Sequence, residues 1–309
     1  IQKGAKALEL LKSAESTEAV DSAYLGMMWS YLYKGDYDMV FKLKKNILVM
    51  AEQQFNLRVY VFGLSAVSVA YSFLGRWDEA EQEGQEALTL AEEFSDKSMT
   101  SFAAFILSLA YIYKGDLAQG MEYAELAVQK APTLADKLWA QAFVAWASSR
   151  GGETKHGIEM LETLVPMYRA ARYLAGEVYG MVMLGEAYRL ADKYDKALET
   201  LVECLELAEQ HGLRFHAADA QRELGEVALK TNPEQAKFHF EKSIAIYQEI
   251  KAENQLALAY AGYGRFHKQH GEMVQAREYL TKALEIFERL GTLVEPDRLR
   301  EELAGLPEA

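Results

Sequence analysis

The side chains best able to do chemistry in this sequence are two histidines and one cysteine. His267 and His270 stand three residues apart, a spacing that places both imidazoles on one face of a helix, where they could share a metal ion. No further histidine or cysteine lies close by to complete such a site. Cys204, the single cysteine, occupies a place where small buried residues recur, which favours a structural thiol over a nucleophile. We therefore expect no metal, no cofactor and no enzymatic activity.

Glycines and charge exclude other classes of function. Gly151-Gly152 and Gly262-Tyr-Gly264 lack the Lys-Ser/Thr pair that a phosphate-binding loop needs. The 309 residues include 46 acidic and 33 basic side chains, a net charge of −13, which disfavours nucleic acid as a partner. No apolar run approaches the roughly 20 residues of a membrane span, so no membrane partner is expected. One cysteine in a chain of this length suggests a reducing cytoplasm.

The elements that carry these residues are set by an internal repeat. A turn residue recurs at steps of 40, 40, 37, 40, 40 and 39 residues, at Gly35, Gly75, Gly115, Gly152, Asp192, Asn232 and Gly271. Seven places before each turn stands a mostly small residue: Met28, Ser68, Ser108, Ala145, Gly185, Gly225 or Gly264. Small side chains at matched places let two helix axes approach closely. The pattern predicts successive antiparallel helix pairs.

This arrangement resembles the tetratricopeptide repeat. Tyr71, Gly75, Trp77, Ala80 and Ala87 match its tyrosine, turn glycine, aromatic and two alanine places. The resemblance implies an all-α fold, a right-handed superhelical solenoid of antiparallel helix pairs that binds protein or peptide segments. The step near 40, longer than the usual ~34, is similar to that of kinesin light chains, bacterial peptide-sensing regulators and the repeat arms of bacterial signalling ATPases and cyclases.

The register predicts one solenoid over residues 1–309. Residues 1–16 are expected to form the second helix of a truncated repeat, because Ala7-Leu8 lies one step before Ile47-Leu48. About seven helix pairs follow over 17–291, and a capping helix is expected over 296–304. The chain starts inside a repeat, so preceding domains of the same protein are possible partners.

The resemblance implies that the first helix of each pair lines the concave side. The inward places are aromatic in the N-terminal half and charged in the C-terminal half. We expect a binding surface formed by Trp29, Phe62, Phe102, Phe105, Trp139, Trp146, Arg189, Arg222 and Arg265. Exposed apolar patches generally mark binding sites, yet tight curvature or an absent domain could bury these rings. The charges could also pair within a helix, Glu186 with Arg189 or Arg222 with Glu226.

Two functions of different class follow from this surface. The first is a protein- or peptide-binding scaffold, or sensor arm, of a larger bacterial signalling protein in the cytoplasm. The second is a small-molecule effector sensor, with an apolar pocket near Trp29, Phe62, Phe105 and Trp146. An open groove of repeated units favours the first, whereas a closed pocket of a few hundred cubic ångströms would favour the second.

Overall fold

The computed structural model describes residues 17–53 and 56–307, which form fifteen α-helices and no β-strand. The helices are α1 (Thr17–Tyr33), α2 (Tyr37–Gln53), α3 (Leu57–Phe73), α4 (Trp77–Glu93), α5 (Lys97–Lys114), α6 (Leu117–Lys130), α7 (Leu134–Arg150), α8 (Thr154–Ala170), α9 (Leu174–Leu190), α10 (Tyr194–His211), α11 (Arg214–Thr231), α12 (Pro233–Ile250), α13 (Glu253–Gln269), α14 (Met273–Leu290) and α15 (Glu295–Ala304). The helix expected over residues 1–16 lies outside the described residues.

The chain is an all-α, right-handed superhelical solenoid. Helices α1 to α14 form seven antiparallel pairs, each packed on the next, and α15 packs on α14. In that described part, no helix has both the length and the apolar composition that crossing a bilayer requires.

The turns inside the pairs lie where the repeat marker stands. Six of the seven marker residues have positive φ; the exception is Asn232, at −151°. A left-handed residue ends a helix by letting the next amides bond back to its last carbonyls. Asn232 differs because Pro233 starts the next helix at once, and the connection shrinks to a single residue.

Small residues hold the helices of a pair together. Ser68 Oγ donates to the carbonyl oxygen of Ala80 at 2.6 Å, and Ser108 Oγ donates to that of Gly120 at 2.7 Å. Both bonds join the place seven before the turn to the place five after it. A hydroxyl that reaches a backbone carbonyl on the partner helix requires close axes, which larger side chains would prevent.

The superhelix curves tightly enough to contact itself. Helix α1 packs against α11, and α3 packs against α13. Gly35 and Gly75 abut Ile250 and Leu290, at the ends of the sixth and seventh pairs. The amide of Leu293 donates to the carbonyl of Lys114 at 2.7 Å. The concave side is therefore a closed interior and not an open groove along its whole length.

Candidate functional site

The interior of the superhelix is divided by a wall of packed rings. Phe73 stacks on Phe215 with ring centroids 3.7 Å apart, and Tyr113 meets Phe215 edge-on at 6.1 Å. Trp146 packs edge-on against Tyr113 at 5.1 Å, and His216 adjoins Phe215 at 5.7 Å. We call these five residues the aromatic wall. Two cavities that share no lining residue lie on either side of it.

The first cavity, the aromatic pocket, has a volume of about 350 Å³. Helices α1, α3, α5, α7 and α9 contribute rings to it, and those of Phe62, Phe102, Trp139 and Tyr179 stand at one matched place in four successive repeats. Its principal lining residues are Trp29, Phe62, Phe102, Phe105, Trp139 and Tyr179. The first five belong to the surface expected from the sequence, and the structure brings them together around one space.

The rings of the aromatic pocket form a continuous array. Phe102 lies edge-on to Phe62 and Phe105, with centroids at 4.5 and 4.8 Å, and Phe105 stacks on Trp139 at 5.6 Å. Trp29 closes the array, 6.1 Å from Phe102. Edge-on and offset-stacked pairs are the geometries that aromatic quadrupoles prefer. The array is therefore held in place before any ligand arrives.

The aromatic pocket opens to solvent. Trp29, Phe62, Phe102 and Trp139 are only partly buried, whereas Phe105 is 5% exposed and forms the base. At the rim, Tyr173 is 45% exposed. Large rings left in contact with water lose part of the free energy that burial provides. The pocket can gain that free energy by receiving an apolar group.

Trp146, expected on the same surface, does not line the aromatic pocket. Its side chain is 3% exposed, and its indole Nε1 donates to Glu186 Oε2 at 2.7 Å. The Arg150 guanidinium lies 4.5 Å from the centre of the indole. The register correctly pointed Trp146 inward, but closure of the superhelix buried it in the aromatic wall.

His216 is an interior residue that sequence reasoning missed. Its ring lies 4.2 Å from Tyr179 and 6.0 Å from Tyr33, both of which line the aromatic pocket. Neither ring nitrogen has a hydrogen-bond partner, and burial lowers the pKa of His216 to about 3. The imidazole is therefore neutral. No local sequence pattern predicted this position, because only the curvature of the superhelix brings His216 opposite Tyr33.

The second cavity, the charged chamber, has a volume of about 250 Å³. Five arginines line it. Three of them, Arg189, Arg222 and Arg265, belong to the surface expected from the sequence, and the other two are Arg150 and Arg298. Three carboxylates, those of Glu186, Glu226 and Glu295, also line it.

Three of the five arginines that line the chamber pair with glutamates outside their own helix. Arg150 Nε donates to Glu186 at 2.9 Å, Arg189 Nε donates to Glu223 at 2.5 Å, and Arg265 Nη2 donates to Glu302 at 2.7 Å. Arg265 also lies 3.7 Å from Glu226. The expected pairs, Glu186 with Arg189 and Arg222 with Glu226, do not form, because the next first helix offers a carboxylate at the same level.

Burial and nearby positive charge shift the pKa in opposite directions at two acids behind this chamber, Glu223 and Asp219. Burial would raise the pKa of Glu223, but the guanidinium groups of Arg189 and Arg222 outweigh it and hold that pKa at about 2. For Asp219 burial prevails over the charge of Arg222 and raises the pKa to about 6. Tyr247 donates to Asp219 Oδ1 at 2.5 Å. Arg222 Nε, also buried, has no hydrogen-bond partner.

The residues first considered for chemistry serve packing. His267 pairs through Nδ1 with Glu272, and His270 Nδ1 donates to the Phe266 carbonyl at 2.9 Å. Cys204 Sγ lies 3.6 Å from the Val178 carbonyl, and burial raises the pKa of its thiol. Across residues 17–53 and 56–307, no three His, Cys, Asp or Glu side chains cluster in a way that could hold a metal ion.

Comparison with known proteins identifies the repeat and the fold. Residues 176–249, within α9 to α12, match the family model of the tetratricopeptide repeat, which confirms the resemblance over that segment. Comparison with curated protein sequences gives no significant match.

Three solved structures show the fold. A Rap protein complexed with competence and sporulation factor superposes with a TM-score of 0.65 at 12% identity, covering 91% of this chain and 80% of that one. NprR in complex with its cognate peptide NprX gives 0.65 at 15% identity, covering 98% and 93%. The APC/C hetero-tetramer Cut9-Hcn1 gives 0.68 at 15% identity, covering 97% and 52%. At these identities the likeness is one of fold alone.

Proposed function

We propose that this tetratricopeptide-like solenoid is a peptide-binding scaffold or sensor arm that anchors a bulky apolar side chain in the aromatic pocket. Trp29, Phe62, Phe102, Phe105 and Trp139 are the proposed contacts. The carrying observation is that four of these rings, from four successive repeats, stay partly exposed around one cavity of about 350 Å³. Buried aromatic anchors supply most of the binding free energy in many interfaces.

Two structural relatives support a peptide as the ligand class. NprR was solved with its cognate peptide, and the Rap protein with competence and sporulation factor. Each shares this fold over at least 91% of the present chain. A solenoid of helix pairs offers such ligands a long inner face.

Closure of the superhelix narrows the mode of binding. Gly35 and Gly75 touch the sixth and seventh pairs, so an extended peptide has no open path along the entire inner face. We propose that one bulky side chain enters the aromatic pocket, while the neighbouring peptide backbone lies over the rim near Tyr173.

A small-molecule effector in the same pocket is the second candidate. The volume of about 350 Å³ falls within the range of small-molecule sites, roughly 300–1,000 Å³, and such sites are mostly apolar with few polar groups. The same five aromatic residues would contact that ligand.

We also propose the wider setting of the molecule. Residues 1–309 would form one non-enzymatic solenoid, with 296–304 as its terminal cap, acting beside other domains of a signalling protein. A buried Cys204 as the single cysteine supports a reducing compartment, and we propose the cytoplasm.

Tryptophan emission can test the peptide proposal. The probes are phenylnaphthylamine, an uncharged apolar fluorophore, and a capped, uncharged hexapeptide with one central phenylalanine. Both should bind, and Trp29→Ala should weaken both at least about tenfold, as expected for a hot-spot residue. Trp77→Phe is the matched control, because Trp77 starts α4 and does not line the pocket.

The outcomes separate the two candidate functions. Binding of the fluorophore without binding of the peptide, across several central apolar residues, would favour the small-molecule effector. Binding of neither probe, or equal binding to the Trp29→Ala variant, would reject the aromatic pocket as the site.

A further inference from the structure

We infer that the aromatic pocket is a cage for a quaternary ammonium group, which is held against the ring faces by cation–π attraction. This inference rests on the proposed function, because it specifies the chemistry of the ligand that binds in the same pocket. The group would belong to a trimethylated lysine of a peptide or to a free organic cation, and both sources present the same positive head.

The composition of the lining is the first support. Nine of its fifteen residues are aromatic, although aromatic residues make up 11% of the chain. Aliphatic side chains would bury a neutral ligand equally well, so apolar burial alone does not require this enrichment. The face of an aromatic ring also carries partial negative charge, which attracts a cation within about 6 Å of the ring centre. The lining therefore offers a cation an attraction that aliphatic residues lack.

The charge around the pocket is the second support. Among the lining residues that the structure describes, none is a lysine, arginine, histidine, aspartate or glutamate. The neighbouring His216 is neutral, since burial lowers its pKa to about 3. A bound cation therefore meets no positive side chain in the lining. The chain carries a net charge of −13, and its field favours the approach of cations over anions.

The geometry of the rings is the third support. Phe102 lies at 62° to Phe62 and at 77° to Phe105. Trp139 lies at 74° to Tyr179. A trimethylammonium head is tetrahedral and presents methyl groups in several directions, so rings at steep angles can contact it from several sides. The walls of the pocket thus match the shape of this head better than that of a flat ligand.

The N-terminal ends of the lining helices do not oppose a cation. Asn56, Asp96 and Thr133 cap α3, α5 and α7, and their side chains accept hydrogen bonds from amides of the first turn. Capping satisfies amides that would otherwise attract an anion. Asp96 and Asp136 also place negative charge at two of these ends, which offsets the positive end of the helix dipole.

A matched pair of probes tests the inference on the full chain. Phenyltrimethylammonium and tert-butylbenzene have nearly the same shape, and only the first is charged. Tryptophan emission, to which Trp29 and Trp139 in the pocket contribute, follows both titrations. Phenyltrimethylammonium should bind at least about threefold tighter. A cavity without cation–π attraction would instead prefer tert-butylbenzene, because burial of an unpaired charge costs free energy.

Replacing a ring by an aliphatic side chain separates cation–π attraction from apolar burial. Phe102→Leu should weaken phenyltrimethylammonium binding at least about threefold and change tert-butylbenzene binding less than about twofold, because the ring face is lost. Trp29→Leu, at a second partly buried ring, serves if Phe102→Leu does not fold. Phe238→Leu is the matched control, because Phe238 is 54% exposed on α12 and does not line the pocket. These substitutions leave the net charge unchanged, so general attraction to an acidic chain would not explain a difference.

Two capped hexapeptides distinguish the sources of the head group. One has a central trimethyllysine, and the other has a central lysine, whose ammonium is strongly hydrated. Binding of the trimethyllysine peptide alone, weakened by Phe102→Leu, would assign the head group to a peptide. Binding of phenyltrimethylammonium without either hexapeptide would assign it to a free organic cation. Both outcomes support the cage.

Equal or tighter binding of tert-butylbenzene would overturn the inference, as would an equal loss of both probes in Phe102→Leu. If the phenylalanine hexapeptide still binds in that case, the proposed function remains intact. A preference for phenyltrimethylammonium, together with no binding of any hexapeptide, would keep the cage and overturn the peptide-binding scaffold.

Discussion

The aromatic pocket and the charged chamber lie inside one solenoid, yet they differ in how far their lining side chains already interact with one another. Helices α1, α3, α5, α7 and α9 line the first; α7, α9, α11, α13 and α15 contribute arginine or glutamate to the second. An aromatic ring needs no partner of opposite charge, so the rings of the aromatic pocket can stay partly exposed. Buried charges are stable only when paired, and each of the five chamber arginines has a glutamate partner, three of them on another helix.

This difference separates two kinds of readiness for a ligand. The aromatic pocket gains free energy from any apolar group that displaces water from its rings. The arginines of the charged chamber already pair with glutamates, so any added group would have to replace an existing ion pair. The same helical scaffold thus holds one cavity with uncovered apolar surface and one whose charges neutralise each other.

The largest expected effect distinguishes a wall residue from a pocket residue. Trp146→Ala should reduce the free energy of unfolding by about 4 kcal/mol, because it empties a buried site and leaves Glu186 without its indole donor. Trp29→Ala, at a partly exposed ring, should cost under about 2 kcal/mol. Urea unfolding measures both. Equal losses would mean that Trp29 is core, and the contrast between wall and pocket would fail.

The next effect uses pH to compare a residue of the aromatic wall with an acid behind the charged chamber. His216 has its pKa lowered to about 3, so acid protonates it only in the unfolded chain and stability falls as pH drops below 6.5. Asp219 has its pKa raised to about 6, so the folded chain takes up its proton first and stability rises as pH drops through that value. The two contributions oppose each other between pH 7.5 and 4.5.

Single substitutions should separate these contributions. When the pH falls from 7.5 to 4.5, the unfolding free energy of His216→Leu should rise by about 3 kcal/mol relative to that of the wild type. Over the same range, the unfolding free energy of Asp219→Asn should fall by about 2 kcal/mol relative to that of the wild type. Urea unfolding of the wild type and of each variant at both pH values provides the measurement. Changes of the same sign in the two variants would contradict the assigned environments.

A smaller effect concerns the contact that closes the charged chamber. Gly115 has φ of +93°, and a Cβ there would lie 2.6 Å from the Leu293 carbonyl oxygen. Gly152 has φ of +101° with open space around it. Gly115→Ala should cost about 2 kcal/mol in unfolding free energy and Gly152→Ala about 1 kcal/mol. Thermal unfolding gives both, and equal costs would show that the Leu293 contact contributes nothing.

The smallest effect is the response to salt. Raising ionic strength from about 50 to 500 mM should change phenylnaphthylamine affinity less than about twofold, because its contacts are apolar. Fluorescence titration measures this affinity at both ionic strengths. A strong salt effect on phenylnaphthylamine would assign it to the charged chamber.

Much of the fold could be predicted from the sequence because its determinants are local. The turn residues recur at fixed steps, and six of seven adopt the left-handed conformation that ends a helix. The small residues before each turn, such as Ser68 and Ser108, meet their partner helices as the register requires. The all-α solenoid of antiparallel pairs follows from these contacts within and between adjacent repeats.

The site was only partly predictable. The inward register of Trp29, Phe62, Phe102, Phe105 and Trp139 follows from helical periodicity, and all five line one pocket. The burial of Trp146 does not follow from it, nor does the bond from Asn254 Nδ2 to the Tyr113 carbonyl at 3.3 Å, which spans 141 residues. Such contacts depend on the summed rotation of several repeats, which no local pattern specifies.

The sequence by itself determined the repeat, the turns and which residues face inward, because each depends on neighbours a few residues or one repeat away. Only the tertiary structure decided that the inner face would close, that rings from the second and sixth pairs would stack as Phe73 and Phe215, and that two cavities would result. Small rotations between repeats add up along the chain, and a slight difference in each decides whether distant repeats meet.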